Sequence, residues 1–155
     1  MAVELNIEGL DRLNRKLTQL SNPKKAKQIA RKAGRQAMNI VRDAARSNAK
    51  AIDDPETREM IQKNIAVQAG KTTSQNDIKI RVGVRGGAGR NQHSVSTAGL
   101  SGGDTRHWRY VEFGTSKIPA IPFMRIAFFN NLDRVANKFV KVFDAEITKA
   151  LSEVT

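Results

Sequence analysis

The residues that could do chemistry in this chain are few, and their spacing does not assemble them. Gly83-Val84-Arg85-Gly86-Gly87-Ala88-Gly89-Arg90 is a glycine-rich stretch after a strand-like segment. A phosphate cradle needs such glycines, but it also needs a helix N-terminus behind them, and no helical pattern follows. Gly114-Thr115-Ser116-Lys117 holds the residue types of a P-loop in the wrong order and without that motif's first glycine. The two histidines, His93 and His107, stand apart, one in unpatterned sequence and one between Arg106 and a Trp-Arg pair. No serine sits in a recognisable nucleophile elbow. Cysteine is absent, which excludes disulfides and thiolate metal sites. Asp53, Asp54, Glu56 and Glu59 form the one acid cluster. They fall at an expected helix start, where capping and the helix dipole account for them. The expectation is therefore a protein with no catalytic residues, no cofactor and no metal site.

What the chain does carry is positive charge. Its 155 residues hold 27 Lys+Arg against 15 Asp+Glu, a formal net charge of +12. Such a balance points to polyanionic or acidic partners. Lys24, Lys25, Lys27, Arg31, Lys32, Arg35, Arg42, Arg46 and Lys50 are opposed only by Asp43, so one segment holds a surplus of eight. A run of charge is commonly a solvated face. This surplus exceeds what solubility needs, so contact with DNA, RNA or an acidic protein surface stands beside that reading. Aromatics do not interleave with these bases, which disfavours stacking on single strands. No helix-turn-helix or RNA-recognition signature occurs. No apolar run approaches the ~20 residues of a membrane helix, and Met1-Ala2-Val3-Glu4-Leu5 does not read as a signal peptide.

The elements that would position these residues follow from periodicity. Val3-Glu4-Leu5-Asn6-Ile7 alternates like a strand, and Leu10, Leu13, Leu17 and Leu20 recur at helical spacing. Asn22-Pro23 reads as an N-cap followed by a first-turn proline. It opens a helix to about Ala51 with an alanine-rich stripe through Ala26, Ile29, Ala30, Ala33, Ala37, Ile40, Val41, Ala44 and Asn48. Small side chains there let a sheet or helix approach closely. A short helix is expected over about 55–63. Strands are expected at Ile65–Ala69 and Ile78–Val84, paired as a hairpin, and at Trp108–Phe113. Residues 85–106 lack periodicity and read as a long mobile loop. Phe123 to about Val154 reads as one long helix. The predicted fold is α+β: a single domain over residues 1–155, with a small antiparallel sheet of about 3–4 strands packed against two long helices.

One stretch is distinctive. His107-Trp108-Arg109-Tyr110-Val111-Glu112-Phe113-Gly114-Thr115-Ser116-Lys117-Ile118-Pro119-Ala120-Ile121-Pro122-Phe123-Met124-Arg125-Ile126-Ala127 resembles the tailed-phage neck or minor tail-component family typified by the gene-ten product of phage HK97. That family's pattern is Val-Glu-Phe-Gly-Thr, a short connector, then Pro-Phe-Met/Leu-Arg-x-Ala opening the last helix. Gly9-Leu10-Asp11-Arg12-Leu13 and the long basic helix Lys24–Lys50 agree with it in order. Pro55-Glu56-Thr57-Arg58-Glu59-Met60-Ile61 stands where the family often has Thr-Gly-x-Leu, here without the glycine.

The resemblance implies a non-enzymatic assembly protein of the virion, forming a ring at the head–tail junction around the DNA path. Its implied partners are copies of itself, neighbouring head-completion, tail-terminator or tail-tube proteins, and double-stranded DNA in the lumen, with no membrane. Glu112, Phe113, Gly114, Thr115, Pro122, Phe123 and Arg125 are the expected docking motif; the connector's apolar residues Ile118, Ile121 and Phe123 could equally cap the chain's own core. Arg31, Lys32, Arg35, Arg85, Arg90 and Arg106 are the expected contacts to partner or DNA. The alternative is a small basic nucleic-acid-binding protein, whose duplex binding would be strong and steeply salt-dependent.

Overall fold

The leucine spacing after Gly9 does form a helix. Gly9 at φ 84 turns the chain into α1 (Leu10–Gln19), which buries Leu13. A computed structural model describes residues 9–86 and 97–154. The expected strand at Val3–Ile7, and Arg90 and His93, lie outside the described residues. Asn22 caps the next helix as its sequence suggests, its Oδ1 accepting from the N–H groups of Lys24 (3.1 Å) and Lys25 (3.2 Å). That helix, α2, runs over Pro23–Lys50. Next come α3 (Ile61–Asn64), β1 (Ile65–Ala69), β2 (Ile80–Val84), α4 (Trp108–Phe113), α5 (Phe123–Phe129) and α6 (Leu132–Val154).

β1 and β2 form a two-stranded antiparallel hairpin. Gly70 N–H donates to Lys79 O at 2.7 Å and Arg85 N–H to Asn64 O at 2.8 Å, which sets the register. The α+β class holds, but the expected third strand does not form, because Trp108–Phe113 is helical. Aromatic and β-branched residues suggested a strand there, yet helical spacing is what brings Glu112 inward and leaves Tyr110 and Phe113 outside. The expected single C-terminal helix is also two. Its break falls at Asn130-Asn131, where Asn131 Nδ2 donates to Ala127 O at 2.8 Å and so takes up a carbonyl at the end of α5. The helix expected over 55–63 is replaced by turns through residue 58 and the shorter α3. Asp53 caps α3 from a distance, accepting from the N–H groups of Ile61 (2.9 Å) and Gln62 (3.0 Å).

The chain divides into two compact units. The first comprises residues 1–40, 69–81 and 132–155. Its core joins Leu13, Leu20, Ile29, Ala33, Phe143, Ile147 and Ala150 from α1 and its C-cap, α2 and α6. Asp144 on α6 binds both Arg12 (3.0 Å) and Lys16 (2.6 Å) of α1. The close approach anticipated from small residues occurs at Gly34, where a Cβ would lie 2.9 Å from Ile80 Cγ1. The second unit comprises residues 41–68 and 82–131. It buries Val41, Ala45, Ala49, Ile61, Ile65, Val84, Phe123 and Ala127. The α2 stripe thus continues through Ala45 and Ala49, by steps of four residues, rather than through Ala44 and Asn48.

Residues 97–106 are not the unanchored loop their composition suggests. Buried Asn64 donates through Nδ2 to Gly103 O (3.0 Å) and Thr105 Oγ1 (2.7 Å), and its Oδ1 accepts from Gly102 N–H (2.9 Å). Met60 N–H donates to Gly102 O at 2.8 Å. A side chain at Gly102 is excluded, since its Cβ would lie 2.2 Å from Met60 O. Residues 87–96 of that expected loop lie outside the described ones.

Candidate functional site

The distinctive motif builds one module inside the second unit: α4, a connector and α5. At its centre is Glu112, whose side chain is 2% exposed. Its Oε2 accepts from Met124 N–H at 2.9 Å, and its Oε1 accepts from Arg125 N–H at 3.0 Å and Arg125 Nε at 3.1 Å. Arg125 Nη2 returns a bond to the backbone oxygen of Glu112 at 2.8 Å. Pro122, at the N-cap position, provides no side-chain cap for α5. Glu112 does that work from twelve residues away, and its negative charge suits a helix N-terminus. A carboxylate buried this deeply would be costly without such partners. The Glu in Val-Glu-Phe-Gly-Thr and the Arg in Pro-Phe-Met-Arg are therefore two halves of one clamp.

The connector is shaped to let that clamp close. Gly114 ends α4 at φ 73, donating to Tyr110 O at 2.9 Å. A Cβ at 114 would fall 2.7 Å from Ala120 N and 3.0 Å from Ile118 O. Only glycine fits this close approach at positive φ. Thr115 then pins a tight turn: its N–H donates to Ile118 O at 2.8 Å, and its Oγ1 accepts from Lys117 N–H and Ile118 N–H at 3.2 and 3.0 Å. Ile121 N–H closes back on Val111 O at 2.8 Å. Phe123 is buried, and Asn48 Nδ2 donates to its carbonyl at 3.2 Å. Phe123 is thus a core residue and not a surface anchor.

The outside of the module is apolar. Tyr110, Phe113, Ile118, Ile121, Ile126, Phe128 and Phe129 are all exposed, Phe113 at 61% and Phe129 at 58%. Among the described residues they are seven of the eight exposed large hydrophobics, gathered within 20 positions. Phe128 and Phe129 meet edge to face at 5.6 Å, and the Arg125 guanidinium lies 5.1 Å from the Phe113 ring. Exposed apolar residues concentrated in this way make the module the candidate interaction surface. The motif residues were legible in sequence; Tyr110, Ile126, Phe128 and Phe129 were missed as surface. Their signal is the placement of Phe128-Phe129 off the buried Phe123–Ala127 face of a helix.

The bases expected to contact a partner are scattered in role. Lys32 Nζ binds Glu146 Oε1 at 2.7 Å, and this hydrogen bond, foremost, holds the Glu146 carboxyl below its ordinary pKa. Lys27 Nζ donates to Gln75 O at 2.7 Å, and Arg46 donates twice to Ile65 O, at 3.1 and 2.7 Å. Arg42 pairs with Asp43. Arg31 and Arg35 are exposed and form no ion pair among the described residues. Arg85 is exposed at the end of β2, and Arg106 is clasped by Asp104. Hydrogen bonds from Arg106 hold the Asp104 carboxyl well below the usual range, at about 2. Among the described residues, no group of His, Asp and Glu could hold a metal ion, and no helix is long and apolar enough to cross a membrane.

The described fold is thus α+β, with an exposed apolar face on the clamped α4–α5 module. Residues 11–114 match the HK97-gp10-like family, described as "Bacteriophage HK97-gp10, putative tail-component". The chain belongs to this family of phage tail components. The match includes Glu112, Phe113 and Gly114 and stops before Thr115, Pro122, Phe123 and Arg125. No significant match was found among curated proteins or solved structures.

Proposed function

We propose that this chain is a structural protein of a long-tailed phage that assembles as a ring at the head–tail junction, around the DNA path, during neck and tail completion. The observation that carries this reading is the exposed apolar face on the clamped α4–α5 module. Such a face suits a permanent seat against another protein, and its rigid support lowers the entropy lost on docking. The neighbours proposed are further copies of the chain and head-completion, tail-terminator or tail-tube proteins, with duplex DNA in the lumen. The role is structural, and the site of action is the virion.

Four of the nine bases on α2 are taken up by contacts within the chain, which weakens the case for a duplex-gripping face. A conduit also works better when its wall holds DNA weakly, because each neutralised phosphate adds affinity. Imaging of particles carrying a labelled copy of the chain tests the reading. Label confined to the neck as a ring is the expected result. Particles without label, together with tight and steeply salt-dependent binding of the free chain to duplex DNA, would replace it with the nucleic-acid-binding alternative.

A further inference from the structure

The ring contact itself has two candidate faces, both within the second unit. The first is the tip of the connector, Ser116-Lys117-Ile118-Pro119, braced by Thr115. Ile118 is 55% exposed at the end of this tight turn, and Lys117 forms no ion pair among the described residues. The second is a groove beside α4, a cavity of about 260 Å3. Ile52, Ile61 and Val111 give it an apolar lining, and Asp54 and Glu59 are its exposed acids.

Among the described residues, five carboxylates are bound to a base and eight are not, Asp54 and Glu59 among the latter. Asp43, Asp104, Glu112, Asp144 and Glu146 each bind an Arg or Lys. Asp54 and Glu59 form no ion pair among the described residues, and both belong to this one groove. The tip, by contrast, has no carboxylate: across residues 107–131 the only acid is Glu112, which is buried in the clamp. One surface is thus apolar with a cation, and the other is apolar with acids.

We propose that successive copies in the ring meet head to tail, with Lys117 and Ile118 of one copy seated in the groove of the next. This rests on the ring reading above. Because tip and groove are different surfaces, the contact is heterologous and can repeat until it closes. Ile118 would enter the apolar lining while Lys117 meets Asp54 and Glu59 at the rim. Charge complementarity of this kind also fixes register between neighbours.

The test is a charge swap in phage particles assembled with the variant chain. Lys117→Glu alone and Glu59→Lys alone should each lower incorporation by more than about tenfold, since like charges then face each other across the contact. A mixture of the two variants should recover it, because an alternating ring pairs opposite charges at every junction. Both residues are exposed, so unchanged melting of each variant shows the fold intact. Thr57 also lines the groove and the chain has no native cysteine, so Ile118→Cys with Thr57→Cys in one chain gives a clean second readout. Oxidised particles should yield a ladder of cross-linked multimers.

Wild-type incorporation of the single variants, no recovery in the mixture, or a ring in the neck with no ladder would each overturn the head-to-tail contact while leaving the ring reading standing. Absence of the wild-type chain from particles would overturn both.

Discussion

Replacing Glu112 should destabilise the second unit far more than replacing the arginine bound to it. Glu112→Ala leaves the N–H groups of Met124 and Arg125 at the start of α5 without an acceptor. A buried donor left unmade costs ~1–3 kcal/mol, and loss of a cap typically ~1 kcal/mol. These overlap, so about 3 kcal/mol is the expected loss for the pair. For a chain of this size that lowers Tm by roughly 6–12 °C. Glu112→Gln keeps one acceptor but sets an NH2 against a backbone donor, so about half that loss is expected. Arg125 is different. Its side chain is 49% exposed and regains water when freed, so Arg125→Ala should cost only ~1 kcal/mol. Calorimetric melts of the three variants and the double variant decide the matter. If Arg125→Ala costs as much as Glu112→Ala, the ion pair and not the cap holds the module. A Glu112→Gln melt within about 1 °C of wild type would refute the clamp altogether.

Phe123→Ala should cost ~3–5 kcal/mol in the same melts, as befits a ring that is only 1% exposed. Gly114→Val should destabilise the fold measurably, because the residue would be strained at φ 73 and its Cβ would meet Ala120 N. Phe113→Ser removes an exposed ring, so its melt should stay near wild type while incorporation into particles falls. Lowered pH should release Asp104 late: its folded pKa is depressed to about 2 from 3.8, so its contribution is full above pH 3.8 and is lost as pH falls through about 2. Following the Asp104 carboxyl carbon by NMR checks this, and a midpoint at the ordinary value would show that the Arg106 clasp does not form in solution.

Much of the fold could be read from local patterns, and the failures share one cause. Asn22-Pro23, the leucines of α1 and the alternation into β2 are signals that short stretches carry complete. Trp108–Phe113 misled because its residue types favour a strand while its helical form depends on a partner beyond it, the N-terminus of α5. The break at Asn130-Asn131 and the remote cap by Asp53 are likewise set by tertiary contacts. Residues 97–106 looked unanchored because small polar residues bury little, yet Asn64 supplies three bonds that no periodicity reveals.

The site shows the same division. Which residues matter was legible from the Glu112–Arg125 motif; how they matter was not. Sequence left docking and core capping as equal readings of Ile118, Ile121 and Phe123, and the structure divides the motif by residue. Glu112, Gly114 and Phe123 face inward and set the geometry, while Phe113, Ile118 and Ile121 face outward and make the surface. The two duties constrain each other. An exposed aromatic face is an aggregation hazard unless it is held rigid and covered in the assembly. A buried carboxylate is a hazard unless it is fully bonded. Building the clamp and the exposed apolar residues on the same two helices joins the two, because the bonds that satisfy Glu112 also tie α4 to the start of α5. Orientation of the exposed face then depends on a few hydrogen bonds at the start of α5. That dependence explains why the motif combines an acid, a glycine, a proline and an arginine over so short a span.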